Sequence, residues 1–312
     1  MNEIPVLLLA FNRPQKLRAL VESLRTAHPE RVVVSLDGPR EGREGDLPAI
    51  NQCAEVLELI DWPCEIELIR HPANLGLRRA VEHAVTATVT KFGALIVVED
   101  DVVVGPQFID FMNHALKFFA EDERVMHING YNVAPVGRLI DPSASWRLSR
   151  YPESFAWGTW DRAWKRYDTD LEWADRVTRR ELQALVGTRL GAHRWKLNFN
   201  DARSGRISTW AYRWLASIWS YEGLIVSPNR NLVTYKGYDE GTHTRSKPSW
   251  IELPLGDVSF DCEYPNLDLK ADEWIGRQIF GESLRGLTRG ALASTYLEAR
   301  RHYQKATASR NQ

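Results

Sequence analysis

The sequence predicts a single α/β domain with a Rossmann-like, mostly parallel central sheet flanked by helices. Two observations predict it. In residues 1–145, short apolar runs rich in β-branched side chains alternate with amphipathic helical segments, and this alternation is typical of parallel strands joined by helical crossovers. Most of the apolar runs are continuous, as in strands that are covered on both faces.

The individual elements follow from these patterns in chain order. In the first half, strands are predicted at residues 6–10, 32–36, 66–69 and 95–98, and helices at 14–26, 48–60, 77–91 and 106–121. In the second half, strands are predicted at 147–151 and 224–227, helices at 159–167 and 209–221, and a loop at 237–241. A last predicted helix, at 284–305, is rich in arginine.

Composition divides the chain near residue 145. Only Trp62 of the 12 tryptophans precedes this point, and the other 11 lie between Trp146 and Trp274. We therefore expect two halves with different tasks, residues 1–145 and residues 146–312.

Composition also excludes whole classes of function. The 40 lysines and arginines balance 41 aspartates and glutamates, so no net positive field attracts nucleic acid. No apolar stretch approaches the roughly 20 residues of a membrane-spanning helix, and no signal peptide is recognised. The three cysteines, Cys53, Cys64 and Cys262, show no metal or disulfide spacing. We expect a cytoplasmic protein.

Polar residues follow each of the four strands predicted in the first half, at the edge where parallel sheets bind their ligands. These segments are Asn12-Arg13-Pro14, Asp37-Gly38-Pro39, Arg70-His71-Pro72 and Glu99-Asp100-Asp101. The glycine fingerprints of dinucleotide and P-loop sites are absent from the sequence, so a phosphate must be held in another way.

The acidic segment at residues 99–101 is the strongest candidate for a metal site. Three adjacent carboxylates repel one another unless a cation or a basic side chain compensates them. Mg²⁺ and Mn²⁺ prefer carboxylate, water and phosphate oxygens. The alternative is a solvated acidic turn. We expect Asp101, together with Asp100, to bind Mn²⁺ or Mg²⁺.

Six segments resemble the nucleotide-sugar glycosyltransferases of the GT-A fold, in particular the Golgi N-acetylglucosaminyltransferases of N-glycan synthesis and related bacterial sugar transferases. They are an opening strand and donor loop (5–13), a strand end with an aspartate (35–38), an N-x-G segment (74–79), the acidic metal motif (97–101), an aromatic segment (155–160) and a loop that closes over the donor (237–244). The resemblance covers about residues 4–245.

The resemblance implies a GT-A fold that binds a nucleotide-sugar donor in residues 1–145 and an acceptor in residues 146–312. It implies metal-dependent, inverting transfer of a sugar from a nucleotide diphosphate, with UDP favoured, to a hydroxyl of a glycan or a lipid-linked glycan. The donor-binding residues that it implies are Asn12, Arg13, Asp37 (to uracil), Arg78 (to the diphosphate), Glu99, Asp100, Trp157 and His243.

The catalytic base stays open at this point. Counted back from Pro228, the catalytic aspartate of the family falls on Ala211. Asp201, Asp239 and Glu240 are the alternatives. We favour Asp239, because it lies in the predicted closing loop.

The tryptophans of the second half divide into two groups. Trp157 and Trp160 flank Gly158 at a predicted strand-to-helix turn, so we expect them at the pocket. Trp210 and Trp214 are four residues apart on one predicted helix, and this spacing favours core packing.

Two other functions stay open. A sugar-phosphate nucleotidyltransferase shares the sheet and the acidic site, although the glycine-rich basic loop expected after its first strand is missing. A catalytically inactive carbohydrate-binding relative explains Ala211. The basic helix predicted at 284–305 is either a solvated surface helix or a peripheral contact with an anionic membrane surface.

Overall fold

The computed structural model describes residues 4–237, 253–260 and 263–287. Within them the strands are β1 (Val6–Ala10), β2 (Arg31–Leu36), β3 (Glu65–Arg70), β4 (Ala94–Glu99), β5 (Val102–Val104), β6 (Val125–Asn129), β7 (Trp146–Ser149), β8 (Ala156–Trp160), β9 (Leu224–Pro228) and β10 (Val233–Tyr235). The helices are α1 (Pro14–Leu24), α2 (Asp46–Glu55), α3 (Leu77–Phe92), α4 (Phe108–Phe118), α5 (Asp161–Trp164), α6 (Glu172–Arg176), α7 (Arg179–Val186), α8 (Arg189–Arg203), α9 (Ala211–Ser220) and α10 (Leu269–Gln278).

The central sheet has eight strands in the order β3-β2-β1-β4-β8-β6-β9-β7, and β5 and β10 form a separate antiparallel ribbon. The first four strands of this order are parallel neighbours, and β9 is parallel to β6. Strand β8 runs antiparallel to both β4 and β6, and β7 runs antiparallel to β9. The predicted α/β architecture with a mostly parallel sheet is confirmed, and the antiparallel pairings within this eight-stranded sheet all involve β7 or β8 of the second half.

The elements predicted for residues 1–121 are present, with bounds that differ by a few residues. Strand β1 is buried at every position, in agreement with its continuous apolar run. Helix α1 begins at Pro14, because a first-turn proline loses no helical hydrogen bond. Strand β3 differs from the expected buried type, since it lies at the sheet edge and exposes Ile66 and Leu68.

The helix predicted at residues 159–167 is wrong in its first part. Residues 156–160 form β8, and the helix α5 covers only Asp161–Trp164. A Cβ at Gly158 would lie 2.9 Å from Cε of Met112 and 3.1 Å from the carbonyl oxygen of Leu95. The glycine therefore lets α4 pack closely on β8, and it does not mark a turn.

The prediction that Trp157 and Trp160 line a pocket is also wrong. Both are buried in the core, and the ring of Trp157 stacks between His127 and Trp210, at centroid distances of 5.1 and 5.0 Å. As a strand residue, Trp157 points into the layer of side chains between the sheet and the helices. Trp214, expected in the core, is fully buried there.

Within the described ranges, none of the helices is both long and apolar enough to cross a membrane. Most of the basic helix predicted at 284–305 lies outside the described residues, so its contact with a membrane surface stays a prediction.

Candidate active site

A cleft of about 490 Å³ lies beyond the carboxyl ends of β1, β2 and β4, where parallel sheets bind their ligands. The residues that follow these three strands supply its floor: Phe11 and Arg13, Asp37 and Arg40, and Asp100 and Asp101. The first turn of α3, residues 209–211 at the start of α9, Phe155 and the segment from Tyr235 to Gly237 supply its walls. Predicted site residues from three separate strand ends therefore meet in one place.

The acidic segment lies at one end of this cleft. Asp100 and Asp101 are buried, with 7% and 6% of their surface exposed. Nη1 of Arg13 lies 3.7 Å from Oδ1 of Asp100 and 3.6 Å from Oδ2 of Asp101. Oδ1 of Asp101 is buried and has no hydrogen-bond partner among the described residues. Lys16 adds a second positive charge near both aspartates, but the pKa of each stays raised, so the two basic residues compensate the cluster only in part.

Burial disfavours the ionised form of all three carboxyl groups of this segment. Burial, with the charges of Asp101 and Asp100, raises the pKa of Glu99 well above its usual range. Burial and the charge of Asp101 raise the pKa of Asp100 to about 7. Burial also raises the pKa of Asp101, although Arg13 acts in the opposite direction. Such shifts indicate a group of acids that a cation stabilises in the ionised form.

The cluster fits a divalent cation that takes part of its coordination from elsewhere. Among the described residues, no three histidine, cysteine, aspartate or glutamate side chains converge into a complete metal site. The unpartnered oxygen of Asp101 and the neighbouring Asp100 are hard oxygen donors at the cleft. Mg²⁺ is usually held by one or two carboxylates, with water and phosphate as the other ligands, and these two residues meet that requirement.

The two-stranded ribbon positions Asp101. Strands β5 and β10 pair directly after the acidic segment, and the Lys236 N–H donates to the carbonyl oxygen of Asp101 at 2.7 Å. The Tyr235 hydroxyl donates to the Asp101 carboxylate, and the ring of Tyr235 stacks on Phe155 at 4.4 Å. Gly237 follows, and a Cβ there would displace the Tyr235 hydroxyl or Oδ2 of Asp101. Sequence reasoning missed Tyr235 and the ribbon.

Asp37 lies in the cleft, but the protein fills its acceptor positions. Its Oδ1 accepts from the backbone N–H groups of Gly38 and Leu75, each at 2.8 Å. Its Oδ2 accepts from Nδ2 of Asn74 at 2.8 Å and from the Gly76 N–H at 3.1 Å. A carboxylate has about four acceptor positions. The implied contact of Asp37 with uracil is therefore corrected: this side chain holds the loop before α3 against the end of β2.

Two helices present their N-termini to the cleft. Helix α3 begins after Gly76, whose φ of 76° favours glycine, and helix α9 begins after Trp210. Neither has a side-chain cap, and Leu77 and Ala211 of their first turns line the cleft. Uncapped first-turn N–H groups and the helix dipole attract anions. The cleft thus combines acids that suit a cation with helix ends that suit an anion.

Besides Trp157, the predicted residues Asn12, Arg78 and Asp201 do not line the cleft. Nδ2 of Asn12 donates to Asp46 at 2.8 Å. Nη1 of Arg78 donates to the Glu82 carboxylate at 3.1 and 3.2 Å, so the expected contact of Arg78 with a diphosphate is corrected to an ion pair within α3. Asp201 is paired with Arg206, and this base candidate is wrong for the described arrangement.

Apart from the acidic segment and Asp37, no carboxylate of the described residues lines the cleft. Ala211 lines the cleft, as the family resemblance implies for the position of the base. Asp239, Glu240 and His243 lie outside the described residues, so their roles stay predictions.

Comparisons with known proteins give weak similarities. No family model and no curated protein matches the chain. A mannosyltransferase from Pyrobaculum calidifontis, solved with GDP-mannose and Mn²⁺, is 12% identical, with a TM-score of 0.39 over 70% of this chain and 68% of that one. A UDP-glucose pyrophosphorylase solved with UDP-glucose is 11% identical, with a TM-score of 0.28 over 47% of this chain and 62% of that one. Similarity of this degree assigns no activity to this chain.

Proposed function

We propose that this protein is a glycosyltransferase that moves a sugar from a nucleoside diphosphate donor to a hydroxyl acceptor. The observation that carries the proposal is the unpartnered, buried Oδ1 of Asp101 in a cleft that two uncapped helix N-termini also face. A magnesium or manganese diphosphate offers both charges that such a cleft accommodates, because its cation suits the acids and its phosphate oxygens suit the helix ends.

In the proposed site, Asp101 and Asp100 would hold Mn²⁺ or Mg²⁺. When bound, the cation neutralises the charge that develops on a departing diphosphate. Arg13 lies beside both carboxylates and adds a positive charge at the same end of the cleft. Glu99 lines the cleft next to them, where its carboxyl group would form a hydrogen bond with the donor sugar.

The order of the strands supports one direction for the donor. Strands β2, β1 and β4 are neighbours in the sheet, and neighbouring strands lie about 4.8 Å apart. The end of β2 is therefore about 10 Å from the acidic segment after β4. If the phosphates of an extended nucleoside diphosphate lie at the acidic segment, its base would lie near the carboxyl end of β2.

The second half would supply the acceptor side. Residues 209–211 and Phe155 form the wall of the cleft that comes from the second half, and a glycan or lipid-linked glycan hydroxyl would approach there. Asp239 would remove the hydroxyl proton, since it follows Gly237, a cleft residue beside Asp101, by two positions. The segment 237–244 would exclude water from the bound donor.

A second candidate is a sugar-phosphate nucleotidyltransferase. Ala211 favours it, because a phosphate nucleophile needs no carboxylate to remove a proton, and the start of α9 carries none. A carbohydrate-binding protein without activity would also carry an alanine there.

Product analysis separates these functions. The full chain is incubated with Mn²⁺, UDP- or GDP-linked sugars and a panel of glycan acceptors, and the nucleotide products are resolved by chromatography. We expect free nucleoside diphosphate, released in step with glycosylated acceptor. A nucleotidyltransferase instead forms nucleoside triphosphate when pyrophosphate is supplied, and a binding protein leaves the donor intact. An Asp101→Ala variant controls for contaminating activity.

A further inference from the structure

Arg40 is held rigidly at the β2 end of the cleft. Its Nε and Nη2 groups donate to the two oxygens of Asp46, each at 2.7 Å. Asp46 is 3% exposed, and it also accepts from the Arg40 backbone N–H at 3.1 Å and from Nδ2 of Asn12 at 2.8 Å. The guanidinium lies 5.2 Å from the centroid of the Phe11 ring. A buried carboxylate that two further donors hold in place thus fixes the plane of the arginine.

This pairing leaves donors for a ligand. A guanidinium carries five N–H groups, and two are used on Asp46. The other three, two of them on Nη1, have no acceptor within residues 4–237, 253–260 and 263–287. Arg40 and Phe11 both line the cleft, and half of the arginine side chain stays exposed. A planar donor group beside an aromatic ring matches the faces and edges of a flat, heterocyclic ligand.

Arg40 lies where the base of the proposed nucleoside diphosphate donor would lie, at the end of the cleft away from Asp100 and Asp101. It follows β2 and is two strands away from the acidic segment. Asp37, the acidic group at this end, has its acceptor positions filled by the protein. Ser35 and Asn74 also line this end of the cleft, and Arg40 is a cationic side chain there that keeps N–H groups to spare among the described residues.

We propose that Arg40, oriented by Asp46, reads the nucleobase of the donor and selects a base that carries an exocyclic carbonyl, uracil or guanine, over adenine. This inference rests on the proposed function. An arginine offers only donors, and the carbonyl oxygens of uracil and guanine accept from it, as guanine O6 and N7 do in DNA recognition. Adenine presents an amino donor at the corresponding position, which a guanidinium cannot pair with.

Calorimetric titration of the full chain with UDP, GDP and ADP in the presence of Mn²⁺ tests the proposal. Arg40→Met keeps the length and apolar stem of the side chain and removes its donors. We expect the tighter of UDP and GDP to lose about 10- to 100-fold in affinity, and ADP less than about threefold, because a charged hydrogen-bond donor is lost only for the carbonyl bases. The preference over ADP collapses accordingly.

Two further variants control the experiment. Arg43→Met changes an exposed arginine of the same loop that is not part of the cleft, and we expect parental affinities. Asp46→Asn keeps the charge of Arg40 but loosens its orientation, so we expect it to lose part of the preference for UDP or GDP over ADP. Thermal unfolding checks that Asp46→Asn and Arg40→Met remain folded.

The outcomes distinguish this inference from the proposed function. If the parent protein binds none of the three nucleotides with Mn²⁺, the proposed function fails. If the parent binds them and Arg40→Met leaves the ratio of affinities unchanged, or lowers all three equally, Arg40 does not read the base and the inference is overturned.

Discussion

Gly237 and Asp101 are in direct contact across the cleft wall: a Cβ at Gly237 would lie 2.5 Å from Oδ2 of Asp101. The ribbon of β5 and β10 brings them together, because Asp101 precedes one strand and Gly237 follows the other. Gly237, the last residue described before residue 253, therefore lies beside the proposed cation ligand.

Gly237→Ala should weaken metal-dependent binding of the donor by about tenfold, since the added methyl group displaces the carboxylate or the Tyr235 ring. Calorimetry with UDP and Mn²⁺ measures this. Gly137→Ala is the matched control, because a Cβ there meets no atom within 4 Å. Equal affinities in both variants would contradict the close approach of residues 237 and 101.

Asp37→Ala should lower the free energy of unfolding by about 2–4 kcal/mol, because it leaves three backbone N–H groups without their acceptor and removes one of the two acceptors of the Asn74 amide. Asp37→Asn keeps one acceptor oxygen and should lose less. Urea unfolding followed by circular dichroism measures both. A variant that keeps parental stability but loses UDP affinity would restore the uracil contact that the family resemblance implies.

Glu153 should make the protein less stable as the pH rises. Burial raises the pKa of this carboxyl group to about 7 from its usual 4.5, so the folded state binds more protons than the unfolded state between these values. The free energy of unfolding then falls with rising pH through this window, by on the order of 3 kcal/mol at full amplitude.

Glu153→Gln removes that titration. Unfolding of parent and variant is compared at about pH 5 and about pH 8. We expect the variant to gain stability relative to the parent at the higher pH, and a difference between the two proteins that is the same at both pH values contradicts the shifted pKa.

Asp239→Asn should reduce sugar transfer by roughly 10² to 10⁴ and leave donor affinity unchanged, because it removes the proton acceptor and keeps the size of the side chain. Asp201→Asn is the matched control, since Asp201 pairs with Arg206 away from the cleft. Transfer at the parental rate in Asp239→Asn would exclude this residue as the base. A loss of donor affinity would instead assign it a role in donor binding.

The strand ends could be predicted from the sequence because their chemistry is local. Each continuous apolar run of the first half forms a strand, and the polar residues after β1, β2 and β4 meet at one sheet edge by topology alone. Arg13, Asp100 and Asp101 therefore lie in the cleft where the pattern predicts them.

The errors concern partners, which residue types do not reveal. Asp37 lies where it was expected, but the loop at residues 74–76 fills its acceptors. Asp46, six residues away in the sequence, orients Arg40 by accepting two hydrogen bonds from its guanidinium. The sequence pattern does not predict this ion pair. Gly158 belongs to a strand on which α4 packs closely, and Trp157 packs on His127 and Trp210. These tertiary contacts override the local turn signal.

The most direct test of the central claim is calorimetric titration of UDP into the parent protein and into Asp101→Ala, each with and without Mn²⁺. If Asp101 holds the cation against the diphosphate, the parent binds UDP more tightly with Mn²⁺ than without it. The variant then remains folded and loses that metal-dependent gain. An Asp101→Ala protein that shows the same Mn²⁺-dependent gain in UDP affinity as the parent would contradict the account.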